Sequence, residues 1–172
     1  MDKWKVFLWL LVLNLALVFV VDAGPWKAAR GAAQNNIGYL YWRGIFVGRD
    51  RGSAERFFRD AVRNGSPQAA NNLAQLYEEG GAISAGREEI KELYTIAATA
   101  GIALAQNNLG VLLAEEDPAA AIVWLERAAA SRDAQTAAAA EESLRALKSG
   151  RAGTVASPRG VRSPALPPPP SR

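Results

Sequence analysis

A twelve-residue phrase occurs three times in this chain, as AQNNIGYLYWRG, AANNLAQLYEEG and AQNNLGVLLAEE. The copies begin at Ala33, Ala69 and Ala105, so successive copies are 36 residues apart. A fixed period of this size indicates stacked helical hairpins. Because one hairpin is too small to bury its own apolar face, each is stable only against its neighbours. The period therefore predicts an all-α solenoid of about three hairpins.

Each repeat unit is predicted to form a helix, a loop and a second helix. In the first unit, Ala33, Ile37 and Leu40 recur at helical spacing. Gly44 is placed to end this helix, because glycine accepts the left-handed backbone that side chains disfavour. Asp50 is placed to cap the second helix, and Gly65 to end it.

The later units keep this order with two changes. Gly86 stands where Asp50 stood, so the second unit loses a capping side chain. Trp124 follows Leu93 by 31 residues instead of 36, so the third hairpin loop is shorter. The dipeptide Asp117-Pro118 then supplies a cap and a first helical residue. The deletion therefore shortens a loop and leaves both helices intact.

These units resemble the Sel-1-like repeat (SLR), a relative of the tetratricopeptide repeat, whose pattern begins A-x-x-N-L-G-x-L-Y-x-x-G. The matching positions of the first unit are Ala33, Asn36, Gly38, Tyr41, Gly44, Val47, Asp50, Ala54, Ala61, Gly65 and Ala69. Ala74 replaces the first-helix glycine in the second unit, and Leu113 replaces the tyrosine in the third. The resemblance covers Ala33 to Arg132 and implies a right-handed α/α solenoid that binds other proteins rather than catalyses a reaction.

Composition divides the chain into five segments. They are a signal peptide or N-terminal membrane anchor at 1–23, a short lead-in at 24–32, the repeats at 33–133, a capping helix at 134–149 and a disordered Pro/Arg-rich tail at 150–172. The capping helix is predicted from an Ala- and Glu-rich run with a polar outer face, which a solenoid needs where its stack ends. The tail has too few apolar residues to join a core.

The first 23 residues indicate export. Lys3 and Lys5 precede an apolar run of 16 residues, 6–21, which is shorter than the roughly 20 that cross a bilayer comfortably. Cleavage after Ala23 would release a periplasmic chain. Alternatively, an uncleaved segment with flanking tryptophans at the interfaces would anchor the repeats to the inner membrane, facing the periplasm. Both alternatives place the chain in a cell envelope, and the family resemblance together with the Ala- and Arg-rich composition implies a bacterial one.

The chain contains neither cysteine nor histidine. Their absence excludes disulfides and thiolate chemistry, and it removes the commonest zinc ligands and the commonest general base. The adjacent acids Glu88-Glu89 and Glu115-Glu116 point apart and form no obvious catalytic pair. We therefore predict no enzyme, no metal site and no cofactor. The export signal and the lack of a reader motif also argue against nucleic-acid binding.

Paired asparagines occur in each repeat phrase, and the two members have different predicted roles. Asn36, Asn72 and Asn108 occupy the family's own asparagine position and are expected to bond neighbouring backbone between repeats. By helical spacing, the other member shares a face with later residues. The resemblance implies that this face lines the concave side of the solenoid and binds a partner. Its candidate residues are Asn35, Tyr39, Trp42, Asn71, Gln75, Glu78, Asn107 and Val111.

The predicted function is a non-catalytic adaptor or scaffold that binds envelope proteins on this concave face. Tyr39 and Trp42 support it most, because exposed aromatic residues are typical interface anchors. The alternative is a small-ligand or glycan-binding module in which these two rings form a stacking platform. Residues 24–68 carry eight basic and three acidic side chains, so this end either meets anionic lipid headgroups or is simply solvated.

Overall fold

The computed structural model describes residues 25–45, 48–80 and 85–149. Within these ranges the secondary structure is entirely helical, which confirms the all-α prediction. The helices are α1 (Pro25–Arg43), α2 (Arg51–Arg63), α3 (Pro67–Glu78), α4 (Arg87–Thr99), α5 (Ala103–Leu113), α6 (Pro118–Ala129) and α7 (Ala134–Lys148). None of these described helices is both long enough and apolar enough to cross a bilayer. The predictions for 1–23 and 150–172 lie outside the described residues.

The helices stack in chain order. Helices α1 and α2, α3 and α4, and α5 and α6 form three hairpins, and α7 packs against α6 as the capping helix. Helix α1 also contacts α3, and α5 contacts the capping helix α7. The solenoid of three hairpins and a capping helix is therefore as the sequence predicted.

Helix α1 is longer than the repeat pattern suggested. It begins at Pro25, eight residues before Ala33, so the lead-in is mostly helical. The physical reason is local, because Ala29 occupies the repeat position that Gly65 holds at the end of α2. Alanine favours helix where glycine would end one, and proline fits the first helical position. The added residues 26–30 are exposed.

Side-chain caps lie where the sequence predicted them. Asp50 accepts the backbone N–H of Ser53 at 3.0 Å before α2, and Asp117 accepts that of Ala120 at 3.0 Å before α6. Gly86 precedes α4 without a side-chain cap. All three predictions are confirmed. Hydrogen bonds from the side chain and the backbone of Ser53 hold the pKa of Asp50 below its ordinary value, because they favour the carboxylate.

Glycines with a positive φ follow the first four helices. The φ angles are 69° at Gly44, 78° at Gly65, 67° at Gly80 and 88° at Gly101. The backbone can turn there without the steric cost that a Cβ would add. This confirms the role predicted for Gly44 and Gly65, and it sets the point at which each of these four helices turns toward the next.

Two other glycines allow close packing within a hairpin. A Cβ on Gly38 would lie 2.7 Å from Cδ1 of Phe58, and one on Gly110 would lie 2.6 Å from Cγ of Leu125. Phe58 and Leu125 are fully buried. The second hairpin carries the buried Ala74 at the same repeat position. The first and third hairpins therefore need glycine for an approach between helices that the second does not make.

Candidate partner-binding face

The candidate residues define one surface of the first helices, which we call the first-helix face. It consists of Asn35, Tyr39 and Trp42 on α1, Asn71, Gln75 and Glu78 on α3, and Asn107 and Val111 on α5. The repeat period places them in three rows, since equivalent residues are 36 positions apart. The structure divides this set into accessible and buried members.

The middle row of the first-helix face is accessible. Tyr39, Gln75 and Val111 hold equivalent positions in α1, α3 and α5, and each is half-buried. Glu78 is exposed beside them, and Asn35 is half-buried. An aromatic ring, an amide and an aliphatic side chain therefore follow one another along the stack, each with part of its surface open to a partner.

Trp42 is buried, and its prediction as an exposed anchor is wrong. Its side chain is only 2% exposed, and its ring lies edge-on to Phe58 with 6.0 Å between centroids. The indole N–H donates to Glu79 at 3.1 Å. The ring turns toward the interior of the hairpin because apolar surface and a hydrogen-bond acceptor are both available there. The glycan-stacking alternative therefore loses one of its two rings.

Tyr39 keeps its place on the accessible surface. Its ring lies edge-on to Trp42 with 6.2 Å between centroids. The guanidinium of Arg43 lies 5.5 Å from the centre of the Tyr39 ring and 4.4 Å from that of Trp42. Cation–π contacts at such distances are attractive. The half-buried ring of Tyr39 is thus held in position by the buried Trp42 and by the guanidinium of Arg43.

Asn71 and Asn107 are also buried. They are 3% and 0% exposed, which contradicts their prediction as surface contacts. Within the described part of the chain, Oδ1 of Asn71 and both amide atoms of Asn107 have no hydrogen-bond partner. They are covered by packing between neighbouring helices, which the pattern of a single helix does not reveal. A partner could reach these amides only if the helices moved apart.

The second set of asparagines links repeats through side chains. Asn72 and Asn108 are buried, and Asn72 donates to Oδ1 of Asn35 at 2.9 Å. Asn108 hydrogen-bonds the hydroxyl of Tyr94 on the preceding helix. The sequence predicted a link between repeats through the backbone, and these bonds are made to side chains instead.

The sequence did not reveal Glu79 as a junction between the first two hairpins. Its Oε2 accepts hydrogen bonds from the indole of Trp42 at 3.1 Å, from Arg49 at 3.0 Å and from Arg51 at 2.6 Å. Bonds to a charged acceptor are stronger than neutral ones. Glu79 therefore fixes the orientation of α1 relative to α3, and with it the spacing of Tyr39 and Gln75.

Two arginines join consecutive hairpins in the same register. Arg51 donates to the carbonyl of Leu76 at 2.6 Å, and Arg87 donates to the carbonyl of Leu112 at 2.6 Å. Both the arginines and the leucines are 36 residues apart. The recurrence of arginine at the repeat period was the sequence signal that could have found this contact. The carbonyls near the C-termini of α3 and α5 are satisfied in this way.

Buried tyrosines connect the second hairpin to acidic side chains. The hydroxyl of Tyr77 donates to Glu55 at 2.9 Å, and that of Tyr94 donates to Glu78 at 2.6 Å. Burial raises the pKa of both tyrosines, and the adjacent carboxylates raise it further because they oppose a second negative charge. Glu78 is therefore an exposed acidic residue of the first-helix face that also links α3 to α4 through its hydrogen bond with Tyr94.

No metal chemistry is indicated in the described residues. In the ranges 25–45, 48–80 and 85–149, acidic side chains do not gather into a group of three that could hold an ion. The arrangement offers shape, hydrogen-bonding groups and charge, which are the properties of a binding surface.

Comparison with known families decides the identity of the repeats. The Sel1 repeat model matches residues 31–66, 67–102 and 103–133. The chain belongs to the Sel1-repeat family. The third match in this Sel1-repeat protein is shorter than the first two, in agreement with the short loop predicted from the spacing of Trp124. Sel1 repeats are in general protein–protein interaction modules and non-catalytic scaffolds.

Two crystal structures show the same fold. A Sel1 repeat protein from Oxalobacter formigenes is 33% identical, with a TM-score of 0.57 over 62% of this chain and 46% of that chain. A protective antigen of uropathogenic Escherichia coli with an SLR fold is 28% identical, with a TM-score of 0.63 over 71% of this chain and 27% of that chain. This Sel1-repeat protein thus spans less than half the length of either. No curated protein matches it.

Proposed function

We propose that this chain is a non-catalytic adaptor that holds a protein partner on the first-helix face, in the cell envelope. The observation that carries the proposal is the row of Tyr39, Gln75 and Val111, which recurs at the repeat period and is accessible in three successive first helices. The three side chains differ in chemistry, so the row can select a partner rather than bind any apolar surface.

The face is held in one arrangement before a partner arrives. Glu79 ties α1 to the next hairpin through Trp42 and two arginines, and Arg87 bonds the carbonyl of Leu112 at the following junction. A surface that is already ordered loses little conformational entropy on binding. These bonds keep Tyr39, Gln75 and Val111 at a fixed spacing, and a fixed spacing supports a binding role.

The N-terminal sequence supports the envelope part of the proposal. Lys3 and Lys5 precede the apolar run 6–21, as in an export signal. The protein is either anchored in the inner membrane by this segment and faces the periplasm, or is cleaved after Ala23 and becomes periplasmic. In the anchored form, the exposed Lys27 adds a positive charge beside the bilayer surface.

Affinity recovery from native cells after crosslinking tests the proposal. The wild-type chain is compared with the double variant Tyr39→Ala/Gln75→Ala, which removes two accessible contacts. Trp42 is left intact, since its removal would disturb the hairpin itself. The matched control is Ile96→Ala, which truncates an exposed apolar side chain on the second helix α4.

The expected result is an envelope protein that is recovered with the wild type and with Ile96→Ala but is lost with the double variant. Circular dichroism of the purified chains checks that all three are folded. If a folded double variant recovers the same partner as fully as the wild type does, the first-helix face is not the binding site. If the folded wild type recovers no envelope protein, the adaptor proposal itself is wrong.

A further inference from the structure

A second surface of α1 differs from its equivalents in the other repeats. Ile37 is 38% exposed, whereas Leu73 and Leu109, at the same position one and two repeats later, are 2% and 1% exposed. The same contrast separates the exposed Ala33 and Asn36 from the buried Ala69, Ala105, Asn72 and Asn108. We call Ala33, Asn36 and Ile37 the open repeat face.

Preceding second helices bury the equivalents of this face. Helix α2 packs against α3, and α4 packs against α5. At the second of these interfaces Gln106 donates to the carbonyl of Ala98 at 3.1 Å, and Asn108 hydrogen-bonds Tyr94. Within the described residues α1 is the first helix, so its open repeat face has no such cover. The internal interfaces therefore show which kind of element fits this face.

The chemistry of the open repeat face is apolar with a basic edge. Helical spacing aligns Trp26, which is 62% exposed, with Ala33 and Ile37 on one side of α1. Lys27 and Arg30 are exposed beside this stripe, and the sequence of α1 contains no acidic residue. A single stripe of exposed apolar side chains with charge of one sign at its edge is typical of an interaction surface.

We propose that the open repeat face binds an amphipathic helix of another protein, in the way that a second helix of a preceding repeat would bind it. The partner helix presents small or apolar side chains at i, i+3, i+4 and i+7 and runs antiparallel to α1. Its C-terminal end then meets Lys27 and Arg30, where the helix dipole favours positive charge. Acidic residues along its edges complement the basic edge of α1.

Charge argues against a second copy of this chain as the occupant. In an antiparallel pair of α1 helices, Lys27 and Arg30 of one copy would face the end of the other that carries Arg43, and neither helix has an acidic side chain. Like charges close together at an interface oppose association. A partner helix with acidic residues therefore suits this face better than α1 itself does.

A helix from this chain serves as the probe. A peptide of residues 85–101, AGREEIKELYTIAATAG, contains α4, which packs against α5 in the intact protein. Its acidic residues Glu88, Glu89 and Glu92 lie in its N-terminal half, so in the antiparallel arrangement its C-terminal helix dipole, rather than these carboxylates, meets Lys27 and Arg30. Because isolated helices of this length are only marginally stable in water, a hydrocarbon staple joins the exposed positions 95 and 99. Binding to Asn36 through Tyr94 would then mimic the bond that Asn108 makes internally.

The experiment measures fluorescence anisotropy of the labelled peptide against the full-length chain in lipid nanodiscs. Variants Ala33→Glu and Ile37→Glu place a negative charge in the open repeat face, and Ala138→Glu places one on the exposed surface of α7 as the matched control. We expect saturable binding to the wild type and to Ala138→Glu. Affinity should fall about tenfold or more in the two face variants, which is an increase of the dissociation constant by about tenfold or more.

Two further readings complete the test. Thermal unfolding by circular dichroism verifies that Ala33→Glu and Ile37→Glu remain folded, as their exposure predicts. The variant Tyr39→Ala should bind the peptide as the wild type does, because Tyr39 lies on a different side of α1 by helical spacing. A failure of the adaptor proposal and a failure of this one can thereby be told apart.

Three outcomes would overturn the proposal. The first is the absence of peptide binding to a folded wild-type chain, as expected if another part of the chain already covers the face. The second is equal binding to the wild type and to Ile37→Glu, which would put the peptide elsewhere. The third is a wild-type dimer in sedimentation experiments that Ile37→Glu dissociates, which would make a second copy the occupant.

Discussion

The two ends of the described solenoid present different surfaces. At the first helix, Ile37 and Trp26 are exposed apolar side chains with Lys27 beside them. At the last helix, α7 buries Ala140 and Leu147 against the stack and turns charged side chains outward. One end therefore ends the stack in a polar surface, and the other presents an uncovered repeat interface. The polar end is formed by a helix outside the repeats, whereas the apolar end is formed by the first helix of a repeat.

The ends also differ in how their charges are arranged. On α7, Arg145 lies 3.3 Å from Glu141, and Lys148 lies 3.6 Å from Glu126. The two signs are thus balanced at this end. On the exposed N-terminal part of α1, positive side chains have no acidic residue on the same helix. The balanced end suits contact with water, whereas the unbalanced end is suited to an acidic partner.

The largest expected effect is a difference in stability loss between a buried repeat position and its exposed equivalent on α1. Leu73→Ala should lower the free energy of unfolding by about 2–5 kcal/mol, because the side chain is fully packed and leaves a cavity. Ile37→Ala, at the same position on α1, should cost at most about 1 kcal/mol since part of that side chain is already in water. Urea unfolding of the full-length chains measures both. Equal losses would mean that α1 is covered in solution.

A smaller loss of stability is expected at the two glycines that the first and third hairpins need for close helix packing. Gly38→Ala and Gly110→Ala should each destabilise the protein by about 1–3 kcal/mol, because the new methyl group meets Phe58 or Leu125. Gly48→Ala is the control, since a Cβ there meets nothing within 4 Å. Thermal unfolding would contradict the packing if Gly38→Ala were as stable as the control.

The stability that Tyr94 gives to the central hairpin, α3 and α4, should fall at alkaline pH. In the folded state burial, the charge of Glu78 and a hydrogen bond to it raise the pKa of Tyr94 above its ordinary value of 10.0. Stability from this tyrosine is therefore complete below about pH 10 and is lost as the pH rises, because the unfolded chain releases the proton first. Tyr94→Phe should flatten the fall in stability between pH 10 and higher values, as measured by urea unfolding. An unchanged slope would contradict the burial of this hydroxyl.

The smallest effect is expected at the capped end. Arg145→Ala removes the pairing with Glu141 on the outer surface of α7 and should change stability by less than about 0.5 kcal/mol, because exposed ion pairs contribute little. Thermal unfolding in low and high salt checks this. A loss as large as that of Gly38→Ala would mean that α7 depends on this pair rather than on its buried side.

The repeat architecture could be predicted because its signals are local and recur. Asp50 and Asp117 cap helices through bonds to residues three positions later, and Gly44 and Gly65 end helices by their own backbone conformation. Such features depend on neighbours in the chain, which a sequence displays directly. The period then supplies the order of packing, since each unit repeats the one before it.

The candidate site was predicted less completely, because burial depends on neighbouring helices. Helical spacing places Tyr39 and Trp42 on one face but does not show that the Trp42 ring turns toward Phe58. Likewise, the pattern within α5 does not show that Asn107 is covered by packing. Glu79 was missed for a similar reason, since its partners are far away in the chain and meet only after the hairpins stack.

Site-specific photo-crosslinking in native cells tests the central claim most directly. A photoreactive residue is placed singly at Tyr39, Gln75 or Val111 on the first-helix face, and at Ile96 or Val123 on second helices as controls. All five side chains are at least partly accessible. The account predicts that the three face positions crosslink to one envelope protein and that the two controls do not. Crosslinks to that protein from Ile96 and Val123, with none from the face, would contradict it.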